Sequence, residues 1–265
     1  MTEDYQVYRT AAEAIAKEAG ELLLSASGRV TAREKGPADL VTEADFASQR
    51  LIARRLSEAF PGHTLLAEEE GAETDLDNLW RWVVDPLDGT MNFAHGFPFW
   101  VVSIALEHDG RLVVGVVYDP LGRRTFSAAH GLGATVDGSP IHVSAADRLD
   151  ASLVTTALPV DFAADGDRQT AYMRRFSTHT HSLRRTGSSA LNLALLAAGA
   201  CEVCYATAMN PWDAAAGVVL VREAGGAVTR FDGSAYDLYR QEILATNGRV
   251  HDASVRALAE AWPGV

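Results

Sequence analysis

Two carboxylates stand three residues apart in the stretch 82–90, which begins with an apolar run. The run predicts a buried strand that Pro86 ends, because proline has no amide hydrogen for a β-ladder. The Asp-Gly dipeptide that follows is typical of a turn. Asp85 and Asp88 would then lie on a bend, with the carbonyl of Leu87 between them free of the ladder. Such oxygen ligands suit Mg²⁺ or Mn²⁺, although an ordinary surface turn accounts equally well for the two aspartates taken alone.

A second predicted strand also ends in carboxylates. Residues 64–67 form a short apolar run that leads directly into three glutamates, 68–70, and residues 79–84 form the next strand. If the two strands are parallel, Glu68 lies beside Asp85 at the strand ends, where open sheets place their sites. The alternative for three consecutive glutamates is a solvated turn.

Two more aspartates stand at predicted helix starts. Thr42 with Asp45 three residues later resembles a capping box, and this helix ends before Pro61. Asp213 begins an alanine-rich helix that Gly225 and its neighbour end. Alone, each aspartate is interpreted as a cap that interacts favourably with the positive end of the helix dipole.

A helix start of small residues lies between these carboxylates in the chain. Gly187, Ser188 and Ser189 open a helix that Gly199 ends. The exposed amides of such a start can bind an anion or hydroxyl groups. An ordinary serine cap is the simpler interpretation of the sequence.

The elements that position these residues form one long pattern without a sharp linker. Residues 5–26 predict an amphipathic helix, and an antiparallel meander runs from Val101 to the Asp-Gly turn at 137–138. Strands and helices alternate from Ser152 to Ala261. The length of 265 residues allows one large domain or two closely packed ones.

Composition excludes several classes of protein. The net charge of -12 argues against a nucleic-acid binder, which must neutralise phosphates with Lys and Arg. No targeting segment and no apolar run near the ~18 residues of a membrane span is visible, so we expect a cytoplasmic protein without membrane contact. Cys201 and Cys204 are the two cysteines, and in a predicted strand 201–205 residues three apart face opposite ways, which favours a structural role over a redox or zinc site.

Taken together, the motifs resemble the inositol monophosphatase family, which comprises lithium-sensitive, Mg²⁺-dependent phosphatases. The resemblance rests on Glu68 and its neighbour, on the stretch 85–93, and on Trp212-Asp213 with residues 223–226. It spans the chain from Lys35 to Gly248. It implies an α+β fold, a layered αβαβα sandwich of the inositol monophosphatase and fructose-1,6-bisphosphatase type, and a homodimer. We expect an N-terminal half, 1–145, with the main metal-binding motif and a C-terminal half, 146–265, that completes the site within one compact unit.

The resemblance also implies roles for individual residues. One Mg²⁺ would be held by Glu68, Asp85 and the carbonyl of Leu87, a second by Asp85, Asp88 and Asp213, and a third, weaker ion would lie near Glu68; Mn²⁺ is an alternative. The implied catalytic residues are Asp45, Thr90 and Glu68, of which Asp45 and Thr90 orient the attacking water. The amides of Gly89 and Thr90 would hold the phosphate, and the substrate-binding positions are Asp88, Gly187, Ser188, Ser189 and Ala206.

The chemistry fits these residue types. The sequence has neither a nucleophile elbow nor a P-loop, so hydrolysis would depend on water activated by metal ions. Carboxylates converging at 4 Å repel one another by roughly 4 kcal/mol per pair at an effective dielectric constant of 20. We therefore expect a site that is loose or partly protonated without metal and that Mg²⁺ stabilises.

The substrate is less closely specified. Inositol-selective members of the family commonly carry a glutamate that binds ring hydroxyls where this chain has Ala206. We expect an inositol-1-monophosphatase-like enzyme for a small polyol or sugar phosphate. The alternatives are a histidinol phosphatase or another small-metabolite phosphatase, and, outside catalysis, a regulatory member of the family that binds other proteins.

Overall fold

A computed structural model describes residues 4–28, 32–36, 39–69, 78–159 and 161–263. The helices are α1 (Tyr5–Ala26), α2 (Glu43–Ala59), α3 (Thr90–His95), α4 (Gly166–His179), α5 (Ser189–Ala197), α6 (Pro211–Glu223) and α7 (His251–Ala261). The strands are β1 (Ala32–Gly36), β2 (Asp39–Thr42), β3 (Thr64–Ala67), β4 (Trp80–Asp88), β5 (Val101–His108), β6 (Arg111–Asp119), β7 (Arg124–Ala129), β8 (Ala134–Val136), β9 (Ser139–Ile141), β10 (Leu153–Ala157), β11 (Ser182–Arg185), β12 (Val203–Ala206), β13 (Ala227–Thr229) and β14 (Ile243–Thr246). Glu70, the last residue of the predicted glutamate turn, lies outside the described residues.

The larger sheet has seven strands in the order β3-β4-β5-β6-β7-β8-β9. Strand β3 is parallel to β4, with Ala67 opposite Val84, and the remaining neighbours are antiparallel. This arrangement confirms the predicted parallel pair and the predicted meander. It places the C-terminal ends of β3 and β4 side by side.

The prediction that β4 ends at Pro86 is wrong. The strand continues to Asp88, and its pairing with β5 shifts register on the way: Asp85 lies opposite Ser103, whereas Asp88 lies opposite Val101. Three steps along β4 therefore match two along β5, which is a β-bulge. A proline is tolerated at a bulge because the ladder is interrupted there. The bulge bends the strand end where the two aspartates stand.

The smaller sheet has five strands in the order β11-β10-β12-β14-β13. Strand β10 is parallel to β11 and β12, and β14 is antiparallel to both of its neighbours. Strand β12 begins at Val203, two residues later than expected, so Cys201 precedes it. Both thiols are free and buried, and burial raises the pKa of the Cys204 thiol to about 11.

The helices complete five layers. Helices α1 and α2 pack on one face of the seven-stranded sheet. Helices α5 and α6 lie between the two sheets. Helices α4 and α7 cover the outer face of the five-stranded sheet. The predicted α+β fold, a layered αβαβα sandwich, is confirmed.

Helix α6 is the element that the two sheets enclose. Its residues 214–221 are all buried. Gly115 of β6 allows the closest approach, because a Cβ atom there would lie 2.3 Å from the carbonyl oxygen of Ala216. The helix therefore rests directly on the seven-stranded sheet, with its N-terminus toward the end of β4. Within the described ranges, no helix is both long and apolar enough to cross a membrane.

Candidate active site

Three aspartates converge where β4 ends and α6 begins. Asp85 and Asp88 come from the bulged end of β4, and Asp213 from the first turn of α6. Each offers a carboxylate oxygen that lies within 4.8 Å of those of the other two. Asp85 and Asp88 are buried, and Asp213 is partly exposed. Three hard oxygen donors at this spacing fit a divalent cation.

The electrostatics of the cluster indicate a shortage of positive charge. Burial raises the pKa of Asp85 well above its usual value, and the negative charges of Glu68, Asp88 and Asp213 raise it further. Burial, with the charge of Asp88, raises the pKa of Asp213 to about 7. Both shifts disfavour the ionised forms of the two carboxyl groups. A cation among the three carboxylates would reverse the sign of these interactions.

Asp88 is held by the start of α5. Its carboxylate accepts hydrogen bonds from the Ser188 hydroxyl at 2.5 Å, the Ala190 amide at 2.7 Å and the Ser189 amide at 3.2 Å. These bonds oppose the rise in the pKa of Asp88 that burial causes. Ser188 is buried and its hydroxyl is engaged, so in this structure it positions Asp88 and presents no group to a substrate. Gly187 is exposed and Ser189 is partly exposed beside it.

A second polar chain leads from the bulge to α2. The Thr90 hydroxyl lies 3.0 Å from Asp45 Oδ1 and 3.0 Å from the carbonyl oxygen of Leu87, so it can donate to either. Asp45 Oδ2 accepts from the Thr42 amide at 2.8 Å and the Thr42 hydroxyl at 2.6 Å. The predicted capping box is therefore present. Asp45 also faces the site, and burial is the main cause that raises its pKa.

The turn between β4 and α3 requires glycine. Gly89 has φ +101°, and a Cβ atom there would lie 3.0 Å from the carbonyl oxygen of Phe99. Helix α3 begins at the next residue, Thr90. The first amides of a helix have no acceptor within it, and they are therefore available to an anion.

Glu68 lies next to the aspartate cluster but outside it. Its amide donates to the Val84 carbonyl at 3.3 Å, which extends the pairing of β3 with β4. Its carboxylate is close enough to raise the pKa of Asp85. The structure thus brings Glu68 to the site, as a neighbour of the three converging aspartates.

Sequence reasoning missed two supporting residues on α2. Gln49 accepts from the Glu69 amide at 2.9 Å and donates to its carbonyl at 3.0 Å, which fixes the chain beside Glu68. Ser48 donates to the carbonyl of Pro86 at 2.8 Å, which fixes the bulge. A signal was available, because both residues share the inner face of α2 with Asp45, and buried polar groups require partners.

The structure buries the side chain of Ala206 completely. The residue ends β12 and belongs to the apolar cluster around α5 and α6. Its methyl group offers no polar contact, and the place of Ala206 in the substrate-binding set stays a prediction.

The profile of the inositol monophosphatase family matches residues 4–262. The chain belongs to the inositol monophosphatase family. Membership makes it an enzyme, a phosphoric monoester hydrolase, as the motifs predicted.

Known relatives agree over most of the chain. An inositol-1-monophosphatase of Synechocystis sp. is 42% identical over 97% of this chain and 90% of its own length. Nus factor SuhB of Salmonella typhimurium is 39% identical over 83% of each chain. The crystal structure of the extragenic suppressor protein suhB from Bartonella henselae superimposes with a TM-score of 0.91 at 35% identity, covering 98% of this chain and 100% of that one.

Proposed function

We propose that the protein is a Mg²⁺-dependent phosphomonoesterase that hydrolyses a small polyol or sugar-type phosphate, with inositol 1-phosphate as the first candidate. The observation that carries this proposal is the convergence of Asp85, Asp88 and Asp213 beside the Gly89 turn. The relative named inositol-1-monophosphatase, at 42% identity, supports the choice of substrate class.

The donor set fits two to three divalent ions. We assign Glu68, Asp85 and the carbonyl of Leu87 to one ion, and Asp85, Asp88 and Asp213 to another. The chemistry that such ions supply when bound is polarisation of phosphoryl oxygens, activation of water and stabilisation of the leaving oxygen. The raised pKa values of Asp85 and Asp213 support this assignment, because buried carboxylates that repel one another favour a cation between them.

The chain's own residues would handle the proton and the phosphate. The Thr90 hydroxyl lies 3.0 Å from Asp45. In this proposal it orients the attacking water, and a proton from that water is passed through the hydroxyl to the Asp45 carboxylate. Burial raises the pKa of Asp45, which makes it a better proton acceptor than an exposed aspartate. The amides of Gly89 and Thr90 would hold the phosphate at the start of α3.

We assign selectivity for the alcohol part of the substrate to the accessible residues at the edge of the site, Gly187 and Ser189. Asp88, Ser188 and Ala206 are buried, which leaves Gly187 and Ser189 as the accessible members of the predicted substrate-binding set. Because this chain has Ala206 where inositol-selective members carry a glutamate, inositol phosphates, histidinol phosphate and sugar phosphates all remain candidate substrates. The relative named Nus factor SuhB supports a regulatory, protein-binding alternative.

The test is a phosphate-release panel with inositol 1-phosphate, histidinol phosphate, fructose 1,6-bisphosphate and adenosine 3′,5′-bisphosphate, each with Mg²⁺ and with a chelator. We expect release from at least one monoester, only with Mg²⁺. Asp167→Asn is the matched control for Asp213→Asn, because Asp167 is an exposed aspartate in the first turn of α4. The control should turn over normally, whereas Asp213→Asn should not. Silence from every substrate would favour the regulatory alternative.

Two further expectations follow from family membership. We propose that Li⁺ inhibits the reaction and that two copies form a homodimer. The first is measured by a Li⁺ titration at fixed Mg²⁺, and the second by light scattering of the full chain. Activity insensitive to Li⁺, or a monomeric mass, would contradict the respective expectation.

A further inference from the structure

A cavity lies at the opposite end of α6 from the aspartates. Its volume is about 430 Å³, within the range of small-molecule sites. Residues of the last turn of α6, Arg222 and Glu223, line it, together with Gly110 and Arg111 from the hairpin that joins β5 and β6. At 1.5 Å per residue, the last turn of α6 lies roughly 15 Å from Asp213. The cavity is therefore separate from the candidate active site.

One part of the wall is apolar and aromatic. Val113 of β6 and Val219 of α6 line this part, together with Leu238 from the segment before β14. Tyr5 and Tyr236 add two aromatic rings. Such a wall binds the body of an organic molecule through the hydrophobic effect.

The acidic groups of the wall already have partners. Glu107 accepts from Arg81 Nη1 at 2.9 Å and from the Tyr239 hydroxyl at 2.7 Å. Glu223 accepts from the amides of Gly131 and Gly133, at 3.0 Å each, and lies 3.6 Å from His130. These contacts leave little carboxylate capacity for the other cations of the wall.

Two arginines of the wall differ from these acids. In the part of the chain that the structure describes, neither Arg111 nor Arg222 has an ion pair with a carboxylate. The Arg222 guanidinium lies 6.0 Å from the centre of the Tyr236 ring, which orients it. Burial lowers the pKa of Arg222, so its charge is partly desolvated.

The backbone of α6 does not compete for Arg222 either. The carbonyls of the last turn accept from the amides that follow: Leu220 from Ala224 at 2.9 Å, and Val221 from Gly226 at 2.8 Å. The carbonyl of Arg222 itself accepts from Gly225. Arg222 lines the cavity, and its guanidinium is therefore available to a ligand there.

We propose that this cavity binds a small organic anion, whose carboxylate or phosphonate-type group is held by Arg111 and Arg222 and whose apolar body lies against Tyr5, Tyr236 and the aliphatic wall. Guanidinium groups bind such oxyanions through short, charge-assisted hydrogen bonds. The net charge of -12 repels anions elsewhere on the molecule, so an anion gains from reaching these two local cations.

The test measures calorimetric binding of three probes to the full chain in the presence of a chelator, which removes metal from the aspartate cluster. The probes are 3-phenylpropionate, phenylphosphonate and the neutral 3-phenylpropanamide. We expect at least one anionic probe to bind and the amide to bind at least about tenfold more weakly, since one charge-assisted contact is worth about 1.4 kcal/mol or more. The two anionic probes distinguish a carboxylate from a phosphonate group.

Substitutions of the two arginines test whether the probes bind in this cavity. Arg222→Gln and Arg111→Gln should each weaken the anionic probe at least about tenfold, since each removes one charged donor. Arg174→Gln is the control, because Arg174 is an exposed arginine of α4 in the outer layer. Asp213→Asn should leave binding unchanged, which excludes the active site as the place of binding.

Three outcomes would overturn the proposal: no binding of either anionic probe at millimolar concentration, equal binding of the neutral amide, or full binding by both arginine variants. Arg222→Gln should retain Mg²⁺-dependent phosphate release without a probe, because it belongs to neither the aspartate cluster nor the Gly89 turn. The proposal therefore stands or fails independently of the phosphatase assignment.

Discussion

Buried acidic groups lie near both ends of α6, but they have positively charged or hydrogen-bonding partners at only one of the two ends. At the start of α6, Asp85, Asp88 and Asp213 face one another, and burial together with like charges raises the pKa of Asp85 and Asp213. At its other end, the buried carboxylate of Glu107 has a guanidinium and a phenol as partners. The acidic groups at the start of α6 therefore lack a counterpart within the cluster, and we call this end unbalanced. The acidic groups at the other end, Glu107 and Glu223, have partners, and in this sense that end is balanced. The difference identifies the first as a place for a cation and the second as a place that holds the layers together.

The largest expected effect is on catalysis at the unbalanced end. Asp213→Asn should lower Mg²⁺-dependent phosphate release by about 10³-fold or more, since it removes a proposed metal ligand. The same change should raise the thermal stability of the metal-free protein, because it removes like-charge repulsion. Asparagine can still accept from the Asn210 amide, so the helix cap is kept. Normal turnover would contradict the metal assignment.

The balanced end should show the opposite behaviour. Glu107→Gln replaces the carboxylate that pairs with the buried Arg81 and should destabilise the fold by about 3–5 kcal/mol in urea unfolding. Catalysis in the remaining folded protein should be unchanged. Glu58→Gln is the control, because its ion pair with Arg55 is exposed and should matter little. Equal effects of the two variants would remove the distinction between buried and exposed pairs.

A smaller effect should come from the middle of α6. Gly115→Ala forces a methyl group against the carbonyl of Ala216, 2.3 Å away, and should cost about 1–3 kcal/mol of unfolding free energy. Gly62→Ala is a matched control, since nothing lies within 4 Å of its added Cβ atom. The turnover rate of the folded variant should change little, although its free energy of unfolding falls. If Gly115→Ala leaves the free energy of unfolding unchanged, α6 can move away from the sheet at no cost in stability.

The smallest effect concerns pH. His63 stacks on Trp80, with ring centres 4.9 Å apart, and burial and the nearby His108 lower its pKa. The folded state then favours neutral His63, so this contribution to stability is full above the unfolded-state pKa of about 6.5 and is lost as pH falls through the folded-state pKa. His63→Gln should reduce the loss of stability at acidic pH. If the variant and the unsubstituted protein show the same dependence of stability on pH, groups other than His63 cause the loss of stability at acidic pH.

Local patterns predicted the elements that local forces determine. The capping box at Thr42 and Asp45 was visible in sequence, as was helix α1 with its bounds. The bulge at Pro86 was not, because it depends on how β4 pairs with β5 and on the Ser48 hydroxyl that holds it. The pair between Arg81 and Glu107 depends on the same register.

Some features of the candidate site could likewise be predicted from local sequence, whereas others depend on tertiary packing. The aspartates were identified from motifs, because each motif lies at the end of its own element. The engagement of Ser188 by Asp88 and the burial of Ala206 depend on how α5 and β12 pack in the centre of the sandwich. No single segment carries that information. Polar residues on the inner face of α2, such as Gln49, could have been recognised from helical spacing.

The contacts of Asp88 with the start of α5 also have a consequence for biosynthesis. The chain separation across these hydrogen bonds is 100–102 residues. Chains leave the ribosome from the N-terminus, and such distant contacts form late. A nascent chain that has just released β4 has neither the clamp on Asp88 nor Asp213. The proposed cation site is therefore complete only after the second half of the polypeptide has folded, and turnover would begin at that point.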